Sequence, residues 1–116
     1  MTCARIAEDK KGTEIKVLEV GTYLPITDFF VFVTCTNRRH LLALSEELLK
    51  VLKQELPGGI RTEGVEAGWW ALLDAGPVVI HLFEERARRY YDLDQLWADA
   101  GEIDWRKGSL GESKPA

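Results

Sequence analysis

The chain has 116 residues, of which 46% are hydrophobic and 29% charged. That is enough for one core and too apolar for a disordered segment. Fifteen lysines and arginines against nineteen aspartates and glutamates leave a net charge of −4, a balance that disfavours unaided binding to a phosphate backbone and favours encounter with a basic protein.

Thr2 to Lys11 is weakly helical and polar, and Glu14–Val20 (EIKVLEV) alternates as a strand does. Gly21 to Pro25 is a turn. Asp28–Cys35 (DFFVFVTC) is an unbroken aromatic and β-branched run, the pattern of a strand buried on both faces at the centre of a sheet. Thr36 is the expected cap of a helix over Arg38–Glu55, whose stripe of Leu41, Leu44, Leu48, Val51 and Leu52 recurs at threes and fours. Pro57-Gly58-Gly59 stops it. Ile60–Gly64, Trp69–Asp74 and Val78–Phe83 read as three more strands, the last two joined through Asp74-Ala75-Gly76-Pro77 as a hairpin. A helical turn follows in EERARR. Asp92, with Gln95 three residues on, forms the pattern of a capping box for a terminal helix carrying Leu96 and Trp97. The order predicts a single α+β domain over residues 1–107, with helices on one mixed five-stranded sheet, and a small polar disordered tail at 108–116.

No apolar run is long enough to span a membrane and no secretory leader opens the chain, so the expected compartment is the reducing cytoplasm. There the two cysteines, Cys35 in an apolar segment and Cys3 in a mobile N-terminus, stay unpaired.

The recognition-type residues concentrate between Glu63 and Trp97. Tryptophan, tyrosine, arginine and carboxylates occur there together without a nucleophile–base pair, a phosphate loop or metal-ligand spacing, which suggests a surface that grips a partner rather than a catalytic centre. Asp92-Leu93-Asp94 is a D-x-D that could share a cation, but helix capping accounts for Asp92 more simply. His40, at a helix N-terminus, suits a neutral hydrogen-bonding role. His81 reads either as a half-buried strand residue with one satisfied nitrogen or as a partner contact. Adjacent strand residues point to opposite faces, so Trp69 and Trp70 are expected on opposite sides of the sheet. Asp74 shares the face of Trp70, and so does His81 if the hairpin register allows.

Three segments in series, ITDFFVFVTCTNRRH, EGVEAGWWALLDAGPVVIHLF and RRYYDLDQLW, together resemble the ribosomal silencing factor, or Iojap, family. The matching positions are Asp28, Phe30, Thr34, Thr36, Arg39 and His40, then Glu63, Gly64, Trp70, Asp74, Gly76 and His81, then Arg88, Tyr91, Leu93, Leu96 and Trp97. Cys35, Asn37, Pro77 and Trp69 depart from the usual pattern. The resemblance implies a fold similar to the nucleotidyltransferase core, without cofactor or transferase activity. It also implies binding to the large ribosomal subunit through its fourteenth protein (uL14), which keeps the small subunit from joining when nutrients are scarce.

On that basis Trp70, His81, Tyr91 and Trp97 are expected to build or support the docking face, with Asp74, Glu84 and Glu85 as acidic contacts. Asp28, Thr36, Arg39, His40, Gly64 and Arg88 are expected to support the structure. Two alternatives remain: a divergent metal-dependent nucleotidyltransferase using Asp28 and Asp74, and a module whose aromatic face is covered by a second copy in a homodimer away from the ribosome.

Overall fold

Every side chain of Phe29–Cys35 is apolar or β-branched, and the strand it forms lies where such a run is most stable, between two others. In the computed structural model, which describes residues 2–56 and 58–107, this strand is flanked by partners on both sides. In chain order the elements are α1 (Thr2–Asp9), β1 (Thr13–Glu19), β2 (Phe29–Cys35), α2 (Arg38–Glu55), β3 (Arg61–Glu63), β4 (Trp70–Asp74), β5 (Val78–Glu84), α3 (Glu85–Tyr91), α4 (Leu93–Leu96) and β6 (Gly101–Ile103), closed by a 3-10 turn at Trp105–Lys107. They make one mixed sheet in the order β3-β4-β5-β2-β1-β6. β2 and β5 run parallel, from Phe29 opposite Val78 to Cys35 opposite Glu84, and the other pairs are antiparallel. The fold class agrees with the sequence reading. The strand count does not, because Gly101–Ile103 adds a sixth strand along the free edge of β1.

Alternation divides the core into two layers. Val31, Val33 and Cys35 of β2, with Ile80 and Leu82 of β5, face α1 and α2. Leu41, Leu44, Leu48 and Leu52 bury the inner stripe of α2 there, each contributing about 1.5–3 kcal/mol of apolar burial. Cys3, expected in a mobile terminus, is instead only 8% exposed, because the face of α1 that carries Cys3, Ala4 and Ala7 packs onto this layer. On the other side Phe30, Phe32 and Phe83 meet Ala87, Leu93 and Trp97 from the α3–α4 region.

Two predicted caps move. Asn37, not Thr36, caps α2: its side-chain oxygen accepts from the His40 N–H at 2.9 Å. Asp92 does not cap α4 with its side chain. It sits in the left-handed region (φ 50°) and ends α3, its N–H donating to the Arg88 carbonyl. α2 ends at Glu55, and Gly59 beyond it takes φ 98°. The tail expected at 108–116 lies outside the described residues.

The turn at Asp92 has a clear consequence. It swings Asp94 back onto Arg88, whose guanidinium is buried against Phe32 and Phe83. Arg88 Nε and Nη2 donate to the two Asp94 oxygens at 2.8 and 3.0 Å, and Nη1 donates to Thr34 Oγ1 at 2.9 Å. Lys16 Nζ lies 3.1 Å from the same carboxylate. Hydrogen bonding from Arg88 above all holds the Asp94 carboxyl below its ordinary value. Because the folded value is the depressed one, the stabilisation is complete above the unfolded range and disappears as pH falls through the folded value. Asp94→Asn, which leaves a buried guanidinium without its counter-charge, is expected to lower stability by about 2–4 kcal/mol at neutral pH. Urea titrations should show the gap from wild type closing below about pH 4; a gap that persists unchanged into acid would mean the pair contributes nothing ionic.

Candidate functional site

β4 and β5 form the antiparallel hairpin that the sequence suggests, with Trp70 opposite Phe83, Leu72 opposite His81 and Asp74 opposite Val79. This register puts Trp70 and His81 on the α3 side of the sheet. Trp70 Nε1–H donates to His81 Nδ1 at 3.2 Å. Nδ1 is therefore an acceptor, and the ring's proton sits on Nε2, which is buried without a hydrogen-bonding partner. Around His81 stand Phe30 and Phe32, edge to face, with centroids at 4.6 and 5.1 Å. His81 is 5% exposed; it cannot itself meet a partner, and it acts by fixing the indole of Trp70. Burial, with the nearby Arg88 charge, pushes its pKa down to about 3.

Over the outer side of Trp70 lies Tyr91, with ring centroids 4.5 Å apart, and Tyr90 stands edge-on to Tyr91 at 5.0 Å. Tyr90 is 75% and Tyr91 39% exposed, so they are the solvent-facing part of this aromatic stack. Trp97 lies on the same layer but apart from it. It packs on Phe30 and Tyr23 beside an open groove formed with Leu24, Leu96, Asp99 and Ala100. Trp69 does not point to the opposite face: it precedes β4 and packs on the same layer as Trp70, under the Arg86 guanidinium.

The approach to β4 is held by backbone geometry and one arginine. Gly64 (φ 76°) and Gly68 (φ 69°) both take the left-handed conformation. A Cβ on Gly64 would collide with the Trp70 carbonyl oxygen, and one on Gly68 with the stem of Arg38. Arg38 donates from Nε and Nη2 to the Glu66 carbonyl at 2.9 and 2.6 Å. Sequence reasoning chose Arg39, which is exposed, and missed its neighbour. His40 closes the strand-to-helix turn. Its Nδ1 accepts from the Thr36 N–H at 2.9 Å, so its Nε2–H donates to the Lys10 carbonyl at 2.7 Å.

The acidic residues do not form one patch. Asp74 is exposed at the hairpin turn, where Oδ1 accepts from the Gly76 N–H at 2.9 Å. Glu84 is at the other end of β5. It is buried and caps α3 by accepting from the Arg86 N–H at 2.8 Å, which removes it as a direct contact; Glu85 beside it is exposed. Asp28, also exposed, is tied by its backbone to Val20, Gly21 and Pro77. Among the described residues no group of three or more histidines, cysteines, aspartates or glutamates is arranged to hold a metal ion. Asp94 of the D-x-D is the counter-ion of Arg88.

The buried ring makes a pH test possible. His81 must stay neutral in the folded protein, whereas the unfolded ring takes up a proton below about pH 6.5. Wild-type stability should therefore fall with acid more steeply than that of His81→Gln, which keeps an acceptor for Trp70 but cannot titrate, by a margin that grows to about 1.4 kcal/mol per pH unit below about pH 6. Denaturant melts between about pH 7 and pH 5 measure both slopes; parallel slopes would show that the ring is hydrated.

Comparison with known proteins bears directly on this arrangement. The family described as "Ribosomal silencing factor during starvation" matches residues 1–116. The chain is 34% identical over 97 residues to the ribosomal silencing factor RsfS of Halalkalibacterium halodurans, covering 84% of this chain and 83% of that one. It is 33% identical over 95 residues to the mouse (Mus musculus) protein named mitochondrial assembly of ribosomal large subunit protein 1, covering 79% of this chain and 42% of that one. A crystal structure of a Chromobacterium violaceum protein superposes with a TM-score of 0.75 at 32% identity, over 83% of this chain and 80% of that one. The fold, the serial motifs and these similarities agree: the chain belongs to the ribosomal silencing factor family.

Proposed function

We propose that this protein binds the large ribosomal subunit in the cytoplasm through its fourteenth protein, uL14, and keeps the small subunit from joining by occupying the space between them. The observation that carries this reading is the Trp70–Tyr91 stack. An indole fixed from beneath by a buried histidine and covered by a partly exposed tyrosine is a rigid aromatic anchor, which loses little conformational entropy when a partner covers it. Steric exclusion needs a firm grip and bulk. A 13.1 kDa domain supplies the bulk, and no reacting group is called for. The net charge of −4 favours encounter with a basic ribosomal protein. The mouse relative's name ties that protein to the large subunit, and the same partner is assigned here. Exposed Asp74 and Glu85 remain available as rim contacts, and Trp97 supports the layer behind the stack.

Sedimentation with separated subunits tests the reading. The protein should travel with large subunits and not with small ones, and should lower the yield of joined ribosomes when the two are mixed. Equal association with both subunits would sink it. Tyr91→Ala removes a ring that is already partly exposed, so its melting temperature should change little while large-subunit affinity drops by about tenfold, the loss expected of a moderate anchor. Trp70→Ala should cost both, because the indole also packs on Phe83. Normal binding by Tyr91→Ala would move the docking face elsewhere.

A further inference from the structure

The chain is acidic as a whole, yet one end of it is not. Lys10, Lys11, Arg38 and Arg39 are all exposed, and the structure brings them together around one side chain. His40, next to Arg39, donates to the Lys10 carbonyl and accepts from the Thr36 N–H, which fixes the α1–β1 turn against the start of α2. Arg38 is held by the Glu66 carbonyl, a neutral partner that leaves its charge uncompensated. Among the described residues none of the four lies within 4.0 Å of a carboxylate oxygen. Of the exposed acids near them, Glu8 is paired with Arg106, and Asp9, Glu14 and Glu66 stand against the four cations, so the excess is one positive charge. The start of α2 adds the positive end of an 18-residue helix. The rim stands at the same end of the sheet as the aromatic stack but on its α1–α2 side: β2 ends there at Cys35, opposite Glu84 and near Trp70, and the stem of Arg38 lies over Gly68, which leads into Trp69 and Trp70.

We propose that Lys10, Lys11, Arg38 and Arg39 form a cationic rim that lies on the phosphate backbone of the large subunit's RNA, beside the protein contact made by the Trp70–Tyr91 stack. The inference rests on the docking proposed above. It adds a second kind of partner to the same event: RNA held by charge alone, at a place where the aromatic grip has already brought it close. Such a rim is too small to hold RNA unaided in a chain of net charge −4. It contributes once docking supplies proximity, and it makes binding salt-dependent, because each phosphate neutralised releases counter-ions.

The test uses the full chain and isolated large subunits. Lys10→Gln, Lys11→Gln and Arg39→Gln are combined; Arg38 is left in place because it also anchors the loop before Trp69. The triple variant should melt as wild type does, bind large subunits about tenfold or more weakly at low salt, and show a dependence of log affinity on log salt shallower by about two to three. A second readout locates the contact. Cys3 and Cys35 are buried, with thiols that burial pushes up to about 11 and about 12. An exposed Arg39→Cys is thus the selective site for a photo-crosslinker. Crosslinks into ribosomal RNA support the rim. An unchanged salt slope, or crosslinks to ribosomal protein alone, overturns it while leaving the docking reading intact. Wild-type protein that fails to bind large subunits overturns both.

Discussion

The structure depends on the buried guanidinium of Arg88. A charge in an apolar layer is tolerated only if its donors are met, and here they are met from separate parts of the chain, by Thr34 in β2 and Asp94 in α4, with Lys16 of β1 completing the cluster. That requirement explains the local conformation. Asp94 reaches an arginine six residues behind it only because Asp92 breaks the helix in the left-handed region. Arg88 and Tyr91 are three residues apart on α3 and therefore share a face. Anchoring Arg88 to the sheet consequently lays Tyr91 over Trp70. The aromatic stack on the surface is a consequence of the ion pair beneath it.

How far the sequence was legible follows from where each residue's environment comes from. The stripe of α2 and the apolar run of β2 carry their own periodicity, and both were read within a residue of the observed limits. The β4–β5 hairpin was legible but its register was not: the sequence leaves the face of His81 open, and the pairing of Leu72 with His81 settles it on the side of Trp70. β6 carries no such pattern. Gly-Glu-Ile is a strand only because β1 has an unpaired edge there. The caps failed for a related reason. Thr36 and Asn37 are both good N-caps, and the choice between them is tied to His40, whose ring takes the Thr36 N–H. Asp92 and Gln95 match a capping box locally, but the Arg88–Asp94 pair overrides that pattern.

At the site, chemistry was easier to read than exposure. The family motif points to Trp70, His81, Tyr91 and Trp97 for the docking face; the first three come together, and Trp97 stands apart on Phe30. But the same types occur in cores, and sequence could not tell that His81 and Glu84 face inward while Tyr90 and Leu96 face out. Glu84 shows the difficulty: the first acid of EERARR looks like a surface charge until its oxygen is found on the Arg86 N–H. Arg38 and Arg39 show it again. Among the described residues the motif-matching Arg39 has no side-chain ion pair, and its neighbour Arg38 holds the loop that leads into Trp70.

These placements separate rigidity from recognition. The parts that hold shape are buried and satisfied: Arg88 with its partners, His40 between two backbone groups, and Gly64 and Gly68 in conformations other residues resist. The parts left exposed are large flat rings and the long cationic side chains at the start of α2 and the α1–β1 turn. A protein that works by occupying space needs its contact surface defined before the partner arrives, since any ordering done on binding weakens the grip. Trp70 meets that need most directly. Its ring nitrogen is tied inward to His81, its inner face rests on Phe83, and Tyr91 is the layer a partner would reach first.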